Sequence, residues 1–243
     1  MLELKNISFS VNEEEGQKDI LKNINLVIVD GRFTVITGPN GGGKSTLAKL
    51  IMGIERPTAG QILLDGEDIT EWDITRRAQA GISFAFQQPV RFKGLTVKDL
   101  LSLAAGDDKL STKGACQYLA EVGLCAANYV GREVDASLSG GELKRIEIAM
   151  LLARRGTKLA VFDEPEAGID LWSFHRLIRV FERLHSDRRS IFIISHQERI
   201  LNIADEIILL ADGTVKKRGK KEDILPELLK CTGGCNLFKE DEA

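Results

Sequence analysis

Apolar residues in this chain gather in short runs separated by turn-forming residues. The runs LELKNISFSV, INLVIV, FTVITG, KLAVFD, SIFIIS and EIILLA are rich in β-branched residues and read as strands. Between several of them the period lengthens. Thr46 to Met52, Glu142 to Arg155 and Trp172 to His185 carry apolar residues three and four apart, the helical spacing. Strands alternating with helices predict an α/β fold, a mostly parallel sheet covered by helices on both faces.

Two stretches break the alternation. The first thirty residues and GQILLDGEDI after Gly60 read as strands joined by turns, which predicts an antiparallel sheet beside the first strand and helix of the core. From about Leu95 to Tyr129 the chain is rich in Ala, Leu and Lys with helical periodicity (TVKDLLSLAA, then TKGACQYLAEVG), and reads as an inserted helical subdomain spanning about residues 88–135. On this reading residues 1–230 form one domain and 231–243 a C-terminal tail.

Composition narrows the partners. With 243 residues, 43% of them hydrophobic, the chain can build a large core, and its net charge of −3 gives no reason to expect a nucleic-acid ligand. No apolar run reaches the roughly 20 residues that cross a bilayer, and the N-terminus lacks the layout of a secretory signal, so a cytoplasmic protein without direct membrane insertion is expected. Cys116, Cys125, Cys231 and Cys235 are too scattered for a disulfide framework, and the first two are expected to pack among helices. Cys231 and Cys235 invite a metal reading, but two thiols cannot close a tetrahedral site, and incidental thiols on a tail are the alternative.

The strongest chemistry lies between FTVIT and LAKLIMG. Gly38-Pro39-Asn40-Gly41-Gly42-Gly43-Lys44-Ser45-Thr46 is a full phosphate-loop pattern. Glycines let successive N–H groups turn inward around phosphate oxygens, and the following helix points its positive end to the same place. Lys44 is expected at the β- and γ-phosphates of ATP, and the Ser45 hydroxyl on Mg²⁺. Downstream, an apolar strand ends in Asp163-Glu164, at the sheet edge where doubly wound folds bind ligands. Asp163 suits the Mg²⁺ shell, and Glu164 suits the base that polarises the attacking water.

Leu138-Ser139-Gly140-Gly141-Glu142 contains a capping box, Ser139 with Glu142 three residues on, at the start of a helix. Two glycines in its first turn leave N–H groups open, which makes a second anion site. One chain with a complete phosphate loop needs no second site for the same phosphate. A γ-phosphate held by a partner subunit explains it.

These motifs, in this order, resemble an ABC-family ATPase over nearly the whole chain. The resemblance implies a phosphate-loop fold with a RecA-like parallel core, a flanking antiparallel subdomain and an inserted helical one. It also implies an ATP-dependent homodimer in which Ser139, Gly140, Gly141 and Glu142 of one subunit clamp the nucleotide of the other. Phe86-Gln87 looks like the Q-loop, whose glutamine senses Mg²⁺ and γ-phosphate. Ala167-Gly168-Ile169-Asp170 resembles the D-loop at the dimer interface, and Ser195-His196 the switch histidine. His175 and His185 lack motif support and are read as structural. Where many family members stack an aromatic on adenine, this chain offers Val11, with Phe9 two residues earlier, so the base is expected on an aliphatic surface.

Three further runs resemble the Suf-type ATPase of iron–sulfur cluster assembly: Ala85-Phe86-Gln87-Gln88-Pro89-Val90, Gly94-Leu95-Thr96-Val97, and Ser195-His196-Gln197-Glu198-Arg199-Ile200-Leu201. The stretch EPEAGIDLW resembles the compact archaeal and anaerobic-bacterial version. This implies a soluble, SufB-like scaffold partner, docked near Gln88 to Leu101. A membrane importer's ATPase, and an ATP-gated clamp with slow hydrolysis, remain the alternatives.

Overall fold

The computed structural model describes residues 1–13 and 16–230. Its centre is a six-stranded sheet built from β3 (Phe33–Thr37), β6 (Ile82–Ala85), β9 (Leu159–Asp163), β10 (Ser190–Ile194), β11 (Glu206–Ala211) and β12 (Thr214–Lys220). The order is β12-β11-β3-β10-β9-β6, all parallel except β12, which folds back on β11. The continuous apolar runs follow from burial on both faces. In β9, Ala160 and Phe162 point into one core cluster, Leu159 and Val161 into the other.

One face is covered by α3 (Val97–Ala105), α4 (Thr112–Glu121), α6 (Gly140–Ala153) and α7 (Leu171–Ser186), with α8 (Glu198–Ile203) and α9 (Lys221–Lys230) beside them. Phe181 of α7 packs edge to face on both Phe33 and Phe162 of the sheet. The opposite face holds α1 (Lys44–Met52) and an antiparallel sheet ordered β2-β1-β4-β5, made of β1 (Leu2–Glu13), β2 (Gly16–Ile28), β4 (Ala59–Leu64) and β5 (Glu67–Asp68). This is the flanking sheet the turn pattern predicts. The helical stretch is broken where glycine permits it: Gly106 ends α3 in the left-handed region, and Thr96 opens it with a capping box to Asp99. A short α5 (Ala126–Tyr129) and a β7 (Phe92–Thr96) to β8 (Glu133–Val134) pairing close this region.

A buried arginine locks α1 to the flanking sheet. Arg77, on the short α2 (Ile74–Gln79), donates to the carbonyls of Leu50 and Ile51 at 2.6 and 2.9 Å, of Ile69 and Thr70 at 2.8 and 2.9 Å, and of Trp72 at 3.1 Å. The first two belong to the last turn of α1, where i to i+4 partners run out and only the C-cap N–H of Gly53 reaches the Leu50 carbonyl, at 3.2 Å. Burial pulls the guanidinium down to about 10, still charged near neutrality. Arg77→Ala removes five hydrogen bonds, although the Leu50 and Ile69 carbonyls keep the N–H groups of Gly53 and Trp72, and leaves a cavity, so chemical denaturation should show a loss of about 3 kcal/mol or more. A loss under about 1 kcal/mol would mean that water replaces the guanidinium without cost.

The cysteines part from expectation. Cys125 is exposed and Cys116 only half-buried, because Cys125 sits at the N-cap of the single-turn α5 and not on a packed helix face. Cys231 and Cys235 lie outside the described residues.

Candidate functional site

Strand register brings the candidate residues into one row. Ile194 pairs with Ile36 on one side and Asp163 on the other, and Phe162 pairs with Ala85. The segments that follow β3, β10, β9 and β6 therefore leave the sheet at one edge, carrying the phosphate loop, His196, Glu164 and Gln87.

The loop needs its glycines. At Gly38, with φ of +140°, an added Cβ would lie 1.9 Å from the Leu210 carbonyl oxygen; at Gly43, with φ of +95°, it would lie 2.6 Å from Leu21 Cδ2. Gly43 is also the N-cap of α1 and has no side chain to occupy the first-turn N–H groups, nor is any acid placed in that turn. The result is a cradle lined by backbone N–H groups at the positive end of a helix. Lys44 folds back over it. Its Nζ donates to the carbonyls of Gly38 at 2.8 Å and Pro39 at 2.9 Å, and burial lowers its pKa, an effect opposed by the charges of Glu164 and Asp163.

Ser45 Oγ donates to Asp163 Oδ1 at 3.1 Å. Asp163 is buried, and that desolvation raises its pKa. A hydroxyl and a carboxylate this close, both hard oxygen donors, fit a Mg²⁺ ion that keeps most of its shell for phosphate and water. Among the described residues no cluster of three His, Cys, Asp or Glu forms a self-sufficient metal cage.

Glu164 stands just beyond β9 with φ of +45°, its N–H bonded to the Ile194 carbonyl at 3.0 Å. One oxygen accepts from Gln87 Nε2 at 2.7 Å, and the other lies 3.9 Å from His196 Nε2. His196 Nδ1 is 3.3 Å from the Thr37 hydroxyl, and burial, followed by the charge of Lys44, lowers the imidazole's pKa. Glu166 supports this histidine from beneath: it accepts from the Ser195 hydroxyl at 2.5 Å, which itself accepts from the Gln197 N–H at 3.0 Å.

Ser139, Gly140, Gly141, Glu142 and Asp170 form a second group. The capping box is complete, with the Ser139 N–H on Glu142 Oε2 at 2.7 Å and the Glu142 N–H on Ser139 Oγ at 3.3 Å. The Tyr129 hydroxyl donates to Glu142 Oε1, and this bond, more than the one from Ser139, holds the carboxyl at about 2. Asp170 caps α7, accepting from the N–H groups of Trp172 and Ser173 at 3.0 Å each. The two segments touch at their glycines, since a Cβ on Gly141 would lie 3.0 Å from the Gly168 carbonyl oxygen. Phe9 packs against the core, which leaves no aromatic from β1 for a base.

Sequence reasoning missed the link between the groups. Lys144 and Glu147, one turn apart on α6, hold both backbone groups of Phe86: Lys144 Nζ donates to its carbonyl, and Glu147 Oε1 accepts its N–H at 2.9 Å. Burial pushes Glu147 up to about 7 and pulls Lys144 down. The i, i+3 charge spacing was readable; its target 58 residues away was not. Beside Phe86 opens a groove of about 670 Å³, walled by Phe84, Val90, Phe92, Leu103 and Met150.

Comparison with known proteins accords with this geometry. The family model for "ABC transporter" matches residues 21–167. An uncharacterized ABC transporter ATP-binding protein of Methanocaldococcus jannaschii is 39% identical over 90% of this chain and 90% of its own length. A probable ATP-dependent transporter of Pyropia yezoensis is 34% identical, covering 90% of this chain and 91% of the relative. The sulfate/thiosulfate import ATP-binding protein CysA of Synechocystis is 32% identical over 88% of this chain and 60% of its own length. Among solved structures, a dimeric ATP-binding cassette in a post-hydrolysis state with ADP and Pi superposes with a TM-score of 0.81 at 26% identity, covering 91% of this chain and 99% of that one.

Proposed function

The chain belongs to the ABC transporter family as an ATP-binding cassette that uses Mg²⁺, hydrolyses ATP and dimerises, and from that premise we propose that it is the motor subunit of a membrane transporter. The observation that carries this reading is the bond from Gln87 to Glu164 at 2.7 Å, because Phe86, the neighbour of Gln87, lines the apolar groove. A segment of a membrane partner docked there would act on Glu164 through one residue. Likeness to transporter ATP-binding proteins, an importer's among them, favours a transporter. Among the described residues no helix is long and apolar enough to cross a membrane.

In this scheme the loop from Gly38 to Thr46 binds the phosphates and Lys44 neutralises the β- and γ-groups. Ser45 and Asp163, with Gln87, would hold Mg²⁺, which would supply charge neutralisation on the phosphate oxygens. Glu164 takes the proton of the attacking water and His196 holds that water and the γ-phosphate in line. Ser139 to Glu142 complete the site from the second subunit, head to tail, with Asp170 and its loop along the seam. Residues 88–135 serve as the lever that carries closure to the groove.

A second reading keeps every role above and changes the partner. The runs from Ala85 to Val90 and from Ser195 to Leu201, which resemble the Suf-type ATPase, favour a soluble SufB-like scaffold that ATP-driven closure would reshape. The test is affinity capture of the tagged protein from anaerobically prepared membrane and soluble fractions, beside a Val90→Glu variant that places a charge in the groove. A polytopic membrane protein retained by the parent and lost from the variant is expected. A soluble protein rich in Cys and His that binds iron on reconstitution would replace the transporter reading with the scaffold one.

A further inference from the structure

The largest exposed aromatic on this molecule has no part in the nucleotide site or in the groove. Trp172 is 82% exposed and its neighbour Leu171 64%. Both stand in the first turn of α7, directly after the Asp170 cap, and neither lines the groove beside Phe86.

The rest of α7 shows that this is not a generally greasy helix. Its inner face, Phe174, Leu177, Val180, Phe181 and Leu184, is buried in the core. Its outward face is His175, Arg176, Arg179, Glu182 and Arg183, all exposed and polar. Apolar exposure is confined to the end that adjoins Gly141 through Gly168. A tryptophan and a leucine held at the start of a rigid, capped helix, with their solvent contact unrelieved, mark an interaction surface.

We infer that Trp172 is an anchor of the interface with a second copy of this chain, extending the seam formed by Gly140, Gly141 and the 167–170 loop. The inference rests on the ATP-driven head-to-tail dimer proposed above. The second copy is the occupant because the patch is continuous with that seam: the Trp172 backbone N–H donates to the Asp170 carboxylate at 3.0 Å, and Gly168 of the same loop touches Gly141. A two-fold dimer buries two copies of Trp172, one per subunit, so a single substitution acts at two places.

The test uses Glu164→Gln, in which an ATP-bound dimer is expected to persist, with and without Trp172→Ala, followed by sedimentation against protein concentration in ATP. Trp172→Ala should weaken the dimer at least about tenfold, and its exposure means that folding, checked by circular dichroism, is unaffected. Fluorescence gives an independent readout, since the chain has two tryptophans and the other, Trp72, lies under the Arg76 guanidinium at 3.8 Å. ATP should shift the emission of Glu164→Gln to the blue and shield it from acrylamide, and Trp172→Phe should abolish both changes. Equal dimer affinity with alanine at 172, or a Trp172 still open to quencher in the ATP dimer, overturns the inference. Failure of Glu164→Gln itself to dimerise in ATP would be seen before any change at 172, and overturns the dimer reading together with the anchor built on it.

Discussion

Replacing Glu164 by Gln should slow ATP turnover by about 10²–10⁴-fold, the usual worth of a positioned general base, while leaving nucleotide binding intact. The carboxylate is held at both ends: Gln87 Nε2 donates to one oxygen at 2.7 Å, and His196 Nε2 stands 3.9 Å from the other. Glutamine matches glutamate in shape, and its amide oxygen can still accept from Gln87, so the variant keeps the geometry and loses the proton acceptor. The positive φ of 45° at position 164 is a backbone feature that the substitution leaves alone. Phosphate release should therefore fall, and size-exclusion chromatography in ATP should show a dimer that ADP does not support. A His196→Ala variant separates two outcomes. If turnover survives in Glu164→Gln and collapses in His196→Ala, the histidine is the base and the carboxylate its orienting partner.

Much of this site was legible in the sequence because its parts are local. The phosphate loop is contiguous, the capping box spans four residues, and Asp163-Glu164 ends an apolar run that can only be a buried strand. Each encodes a short backbone geometry that the residues themselves enforce: glycine at 38 because a Cβ would strike the Leu210 carbonyl, serine at 139 because its hydroxyl serves the Glu142 N–H. What escaped were contacts between residues distant in the chain. Arg77 reads as one of two adjacent arginines on a short polar helix, and only the fold shows its guanidinium among five carbonyls. The clamp of Lys144 and Glu147 on Phe86 escaped for the same reason. So did the Gln87–Glu164 bond, which depends on β6 and β9 being neighbours in the sheet. Cys125 was misplaced by reading helical periodicity through Gly123, where the chain turns with φ of +78°.

Those distant contacts bear on how the two candidate groups communicate. α6 starts from its Ser139 cap and, from one turn later, grips the backbone of Phe86, so a single helix joins the segment from Ser139 to Glu142 with the residue beside Gln87. Gln87 in turn holds Glu164. In the proposed dimer, closure of a second subunit on Ser139 to Glu142 and occupation of the groove beside Phe86 would bias the same carboxylate, as a partner-regulated ATPase requires.

Lys44→Ala should weaken ATP binding by about 10²-fold, corresponding to loss of two charge-assisted hydrogen bonds at about 1.5 kcal/mol each. In the free protein Nζ is satisfied by neutral carbonyls only, those of Gly38 and Pro39 at 2.8 and 2.9 Å. The ammonium is thus preorganised over the cradle with its charge uncompensated by any directly bonded carboxylate, and burial makes that charge costly until an anion arrives. Phosphate relieves this cost, which is why the contribution should appear in affinity and not in the stability of the empty protein. Lys44→Arg should not rescue it, because a planar guanidinium cannot take the place of a compact ammonium between two loop carbonyls. Calorimetric titration with ATP and with ADP, beside thermal melts of the unliganded variants, checks both halves. Near-normal ATP affinity in Lys44→Ala would remove the lysine from the phosphate site. A large fall in the melting temperature of the empty protein would make its carbonyl contacts structural, and the loop a fold element before it is a binding one.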